Sequence, residues 1–278
     1  MGKDSRSLEI SCYVIGAGAF GVFFRWMQLQ LAYNDKGLPD RSAWNVLVPL
    51  LIAASAFVFL RFISKVQKKE RLALPVSFFD ALRNEGKLYS FCRTAIGIIM
   101  IAGSLLLFAT CETDQNAVFL KILAGLGVLA GLAFPMLLTT ANKPHAAGKS
   151  TPTLFSILPI LLYGMWLLTC YKQNSINPVT WDYAVEIATV ISSLLAFFYV
   201  AGFAYGVPNW KKSMFWCMLG AMLCIMSIAD TRFLGQQIML IASALMMVML
   251  NWIMVANLRP ADMADTVEEE DDSGFEKL

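Results

Sequence analysis

The chain has 278 residues, 58% of them apolar and 15% charged. Soluble domains run nearer to about 45–50% apolar and about 25% charged. With a mean hydropathy of +0.60, these proportions exclude a soluble domain and point to an all-α, polytopic membrane helix bundle. A net charge of +2, with no basic segment interleaved with aromatics, gives no footing for a nucleic-acid partner.

A hydrocarbon core about 30 Å thick takes roughly 20 apolar residues per helix. Residues 1–9 are polar, and the apolar run behind them has the length of a span, so no cleavable leader is expected. Spans are expected at 10–33, 43–65, 93–111 and 116–141, forming a first half, 10–141. A linker, 142–151, leads to spans at 152–171, 180–206, 212–229 and 233–257, forming a second half, 152–257. The tail 258–278 carries Glu268 to Asp272 and few apolar residues, a composition that does not support folding.

In the first span Arg25 shares a helical face with Gly18, Gly21 and Gln28. Ala17 and Gly21 allow a close helix approach on the same side. Charges within a span cost about 2.5–3.5 kcal/mol each on insertion scales, so this face belongs inside the bundle. The loop after the second span, 66–92, is the long one. Its Lys68, Lys69 and Arg71 precede a short segment with Ser77 as N-cap, Asp80 in the first turn, and Phe78, Phe79 and Leu82 on one face. This pattern predicts a short amphipathic helix in the headgroup layer, attracted to anionic lipid. Docking of another protein is the alternative use of the same surface.

Gly127 and Gly131 give the fourth span a packing face. Pro135 in that span and Pro159 in the fifth each remove a backbone donor, predicting kinks or interruptions. The sixth span carries a second polar stripe: Asp182, Glu186, Thr189 and Ser193. Arg25 sits about 12 Å and Glu186 about 9 Å from the outer ends of their spans. Opposite charges at similar depth make Arg25 with Glu186 the preferred buried pair, serving either as a solute site or as structural glue. Outward snorkelling of Arg25 is the other possibility. Lys121, Asp230, Arg232, Gln236 and Gln237 lie toward the same side and, with the stripes, would line a shallow outward cavity.

Lys36, Arg41, Lys172 and Arg232 fall on one side of the membrane, and Arg25 and Lys121 fall within spans. The remaining 16 of the 22 lysines and arginines fall on the other side. That bias places both termini in the cytoplasm of a cell membrane. The third and fourth spans end Ala141-Asn142-Lys143-Pro144, and the seventh and eighth end Ala256-Asn257-Leu258-Arg259-Pro260. Trp26 and Trp44 bracket the first outer loop as Trp166 and Trp181 bracket the third. Together these suggest a tandem 4+4 parallel repeat.

Catalytic chemistry finds little support. The six cysteines have no metal-ligand spacing, and the lone His145 lies in a loop. The segment ending Gly148-Lys149-Ser150 lacks the first glycine of a phosphate-binding loop, Lys143 standing in its place. No enzyme activity and no cofactor or metal are expected.

The segments Gly18 to Gln28, Asn34 to Pro39, Glu186 to Ala188 and Leu195 to Gly206 resemble a group of bacterial multi-pass membrane proteins with no assigned activity. The resemblance implies about eight spans and places Arg25, Gln28 and Glu186 in the shared segments. Two functions follow from the residues. One is a small-solute transporter or permease-like subunit with a polar outward cavity. The other is a structural or regulatory subunit, bound to a membrane protein partner or to copies of itself, whose charges only hold helices together.

Overall fold

Long apolar runs become helices here because lipid leaves no other partner for the backbone amides. The structure, a computed structural model, describes residues 3–32, 42–114, 116–142, 150–174 and 180–260, the side chains of 3–5, 113, 150 and 180–182 excepted. Among these residues eight helices are long and apolar enough to cross a membrane. They are α1 (Lys3–Leu31), α2 (Trp44–Lys68), α4 (Lys87–Thr110), α5 (Ala117–Thr140), α6 (Ser150–Asn174), α7 (Thr180–Ala204), α8 (Trp210–Met226) and α9 (Leu234–Ala256). A one-turn helix, α3 (Phe78–Ala81), two short strands, β1 (Leu72–Ala73) and β2 (Arg259–Pro260), and 3-10 turns at Cys111–Thr113 and Ser227–Ala229 complete the described elements. The chain is a multi-pass, all-α membrane bundle.

The two most enclosed helices are α8 and α9, the centre around which the others pack. Helix α8 touches α1, α2, α7 and α9, whereas α9 also meets α4 and α1. Lipid is as apolar as the helices, so association depends on close contact and polar bonds. The small residues supply that contact. Gly18 and Gly21 of α1 face Ile225 and Met226 of α8, and Gly127 of α5 faces Ser104 and Met239. At Gly235 of α9 the space a Cβ would need is filled by the backbone of α4, the Gly103 carbonyl lying 2.6 Å from it. The packing role read for Gly127 and Gly131 holds.

One expectation is altered, and another is not shown. Helices α5 and α6 run unbroken through Pro135 and Pro159, so neither proline interrupts its helix. In α5 the carbonyl of Gly131, four residues before Pro135, meets Gly97 of α4, where a Cβ would come within 2.6 Å of it. The neighbouring helix covers the backbone group that the proline leaves without its donor. The tandem repeat is not shown by the helix neighbours. Helix α8 packs on α1, α2, α7 and α9, while α4, its expected counterpart, packs chiefly on α5 and α9.

One end of the bundle gathers the start of α1, the loop after α2 and the end of α9. Arg6 pairs with Glu70 at 3.3 Å, and β1 pairs antiparallel with β2. Across this end runs a strap, residues 72–86. Asn257 Nδ2 donates to the carbonyls of Ala81 and Arg83, at 3.0 and 2.9 Å. Asn142 accepts from the Asn84 amide at 2.9 Å and donates back to its carbonyl at 3.2 Å. Arg93 donates to Asn84 Oδ1 at 3.0 Å, and Arg259 reaches Asp80 at 3.5 Å. The two Ala-Asn helix ends therefore share a partner.

The strap corrects the reading of loop 66–92. Ser77 precedes α3 as expected, although its side chain makes no cap bond. Phe78 and Leu82 do not rest in headgroups: they are 5% and 0% exposed and join the protein core, with Phe79 packed beside them. An apolar face satisfied by the bundle has none left for lipid. Lys68, Lys69 and Arg71 stay exposed, and the apolar side chains exposed nearby are Leu88 and Phe91 of α4.

Candidate functional site

The polar chemistry collects at the opposite end, around the turn from α8 to α9. After Met226 the chain tightens into a 3-10 turn, Ser227–Ala229, and the next residues, Asp230 to Phe233, lead into α9. So short a connection keeps its polar residues against the bundle. The Asp230 amide donates to the Ser227 carbonyl, and Gln237 Nε2 donates to the Asp230 carbonyl at 3.2 Å.

Arg25 reaches this turn from α1. Its Nε donates to Asp230 Oδ1 at 2.7 Å and its Nη1 to Gln28 Oε1 at 2.7 Å. Gln28 passes the chain on, donating to Asn45 Oδ1 of α2 at 3.0 Å. Arg25 is 1% exposed, so it points inward and does not snorkel. The other Asp230 oxygen, Oδ2, accepts from Arg232 Nη2 at 2.7 Å and from Ser227 Oγ at 2.9 Å. Arg232 Nη1 then lies 3.6 Å from Glu186 Oε1, and Trp166 Nε1 donates to the same oxygen at 3.4 Å. Four charges thus alternate in sign: Arg25, Asp230, Arg232, Glu186.

The preferred pair is corrected. Among the described ion pairs Arg25 meets Asp230, and Glu186 meets Arg232. The reason lies in helix order. Helix α8 packs on both α1 and α7, so the turn at its end places Asp230 and Arg232 between Arg25 and Glu186. The second stripe divides as well. Thr189 Oγ1 donates to the Val185 carbonyl and approaches that of Leu223, and Ser193 Oγ lies 3.4 Å from Cys224 Sγ. Both residues are fully buried between α7 and α8. The Asp182 side chain lies outside the described residues. Lys121 pairs with Glu112 at 3.4 Å on the surface, apart from the cluster.

Two adjoining clefts open over the charges. The larger, about 500 Å³, is lined by Gln173, Asn174, Glu186, Arg232, Phe233 and Gln236. The smaller, about 110 Å³, adds Arg25, Tyr183 and Asp230 and shares Asn174, Glu186, Thr231 and Arg232. Ligand clefts commonly span roughly 300–1,000 Å³. Two donors on this wall, Arg232 Nη1 and Gln236 Nε2, are buried without a hydrogen-bond partner among the described residues. Beneath Glu186 four rings stack in sequence, Trp166 on Tyr163, Tyr163 on Phe197, and Phe197 on Phe134, with successive planes within 17°. Trp166, one of the two tryptophans bracketing the third outer loop in sequence, is fully buried and forms the top of this stack.

Sequence spacing selected Arg25, Gln28 and Glu186, and it grouped Asp230, Arg232 and Gln236 by side alone. It missed Asn45, Asn174, Ser227 and Trp166. The available signal was Asp-Thr-Arg in a turn too short to carry its charges into water.

No family model, curated protein or solved structure matches the chain.

Proposed function

We propose that this protein is a transporter or permease-like subunit for a small polar solute, acting without catalysis from a cell membrane. Both termini face the cytoplasm in this reading, as the lysine and arginine bias favours, and the clefts open outward. Lys68, Lys69 and Arg71 then face anionic headgroups on the inner leaflet. The supporting observation is the cleft wall. A cluster serving only as glue would satisfy its own donors, because an unmet buried donor costs about 1–3 kcal/mol. Here Arg232 Nη1 and Gln236 Nε2 have no hydrogen-bond partner among the described residues, beside a cleft of about 500 Å³. The strap across the opposite end suits a state closed to the cytoplasm.

The competing reading, a non-catalytic structural or regulatory subunit, draws on the inner part of the cluster. Arg25 and Asp230 are well bonded without any solute. A thermal-shift screen of the purified chain against pools of amino acids, sugars, nucleosides and carboxylates separates the two. The transporter reading expects at least one pool to raise Tm, with the rise lost in Arg232→Ala. No stabilising pool would favour the structural reading.

A further inference from the structure

Resting on that reading, we infer that the cleft takes a small zwitterion with a carboxylate and an ammonium group, as a neutral α-amino acid carries. Three features of the wall specify it. Among the described residues Arg232 Nη1, which has only the long ion pair to Glu186, and Gln236 Nε2 have no hydrogen-bond acceptor, and together they call for one. A carboxylate answers best, because charge-assisted bonds to a guanidinium are the stronger kind.

Glu186 supplies the second feature. It is a cleft-lining carboxylate whose contacts with Trp166 and Arg232 are long, 3.4 Å and 3.6 Å. An ammonium at ordinary hydrogen-bond distance improves on both. As a carboxylate draws on Arg232, the ammonium replaces what Glu186 gives up.

The third is charge balance. The described side chains set two guanidiniums, Arg25 and Arg232, against two carboxylates, Asp230 and Glu186, and an occupant without net charge leaves that balance unchanged. An added anion would face two carboxylates, and an added cation two guanidiniums. Phe233 on the same wall offers an apolar contact for a short side chain.

The test uses the purified full chain and four probe classes: neutral amino acids, their amides, their N-acetyl forms and neutral sugars. One or more neutral amino acids should bind. Loss of either charged group should weaken binding about tenfold or more, the worth of a charge-assisted bond. Glu186→Gln, which keeps an acceptor for Trp166, should weaken the amino acid similarly while leaving its N-acetyl form nearly unchanged. Equal binding of an amino acid and its amide would overturn the inference. So would binding confined to sugars, or a Glu186→Gln variant that is monodisperse and binds as the native chain does. Failure of every solute class, carboxylates included, would instead reject the transporter reading itself.

Discussion

Asp230 holds two arginines at 2.7 Å each, whereas Glu186 holds one at 3.6 Å. Removing one partner of a buried pair costs about 3–5 kcal/mol, because the other charge stays behind uncompensated. Asp230→Asn should therefore lower Tm more than Glu186→Gln, and Arg25→Gln should also be costly. In a double-mutant cycle Arg25→Gln with Asp230→Asn should couple, the double losing clearly less than the sum of the singles. Arg25→Gln with Glu186→Gln should couple less strongly, since the described pairs place Asp230 and Arg232 between them in the network. The opposite pattern, measured by thermal unfolding in detergent, would restore Arg25 with Glu186 as the direct pair. Helical spacing was enough to show that Arg25, Gln28 and Glu186 face inward. It could not show who meets whom, because partners depend on the arrangement of helices around α8. Thr189 and Ser193 share the stripe of Glu186 yet serve the α7–α8 contact for the same reason. Spacing defines a face, not its neighbour.

At the scale of elements, hydropathy located all eight spans because the need to satisfy backbone amides in lipid leaves one solution. Helix ends were less legible. Helix α1 begins at Lys3 and α4 at Lys87, since a helix can continue into the headgroup region after its apolar run has ended. The strap was the harder case. An apolar stripe of Phe78, Phe79 and Leu82 looks the same whether its partner is lipid or protein, and the two asparagines that hold it lie far away in sequence. Asn257→Ala removes both bonds to the Ala81 and Arg83 carbonyls, each worth about 0.5–1.5 kcal/mol. Hydrogen exchange of amides 78–84 should accelerate roughly tenfold or more, while amides near Asp230 keep their rates. Unchanged exchange in the strap would show that apolar burial alone holds it.

For the whole molecule, the fold is one of unequal ends: an end bridged by the strap and the β1–β2 pair, and an end with clefts above alternating charges. The proposal requires the second end to be wet and external. Asn174 and Thr231 line both clefts, while Ser193 is fully buried between α7 and α8. The direct test is labelling of single cysteines in a cysteine-depleted chain, in intact cells, with a membrane-impermeant thiol reagent. Asn174→Cys and Thr231→Cys should react from outside, and Ser193→Cys should stay unlabelled. If neither cleft position reacts, or both react only once the cytoplasmic face is exposed, the outward aqueous cavity does not exist.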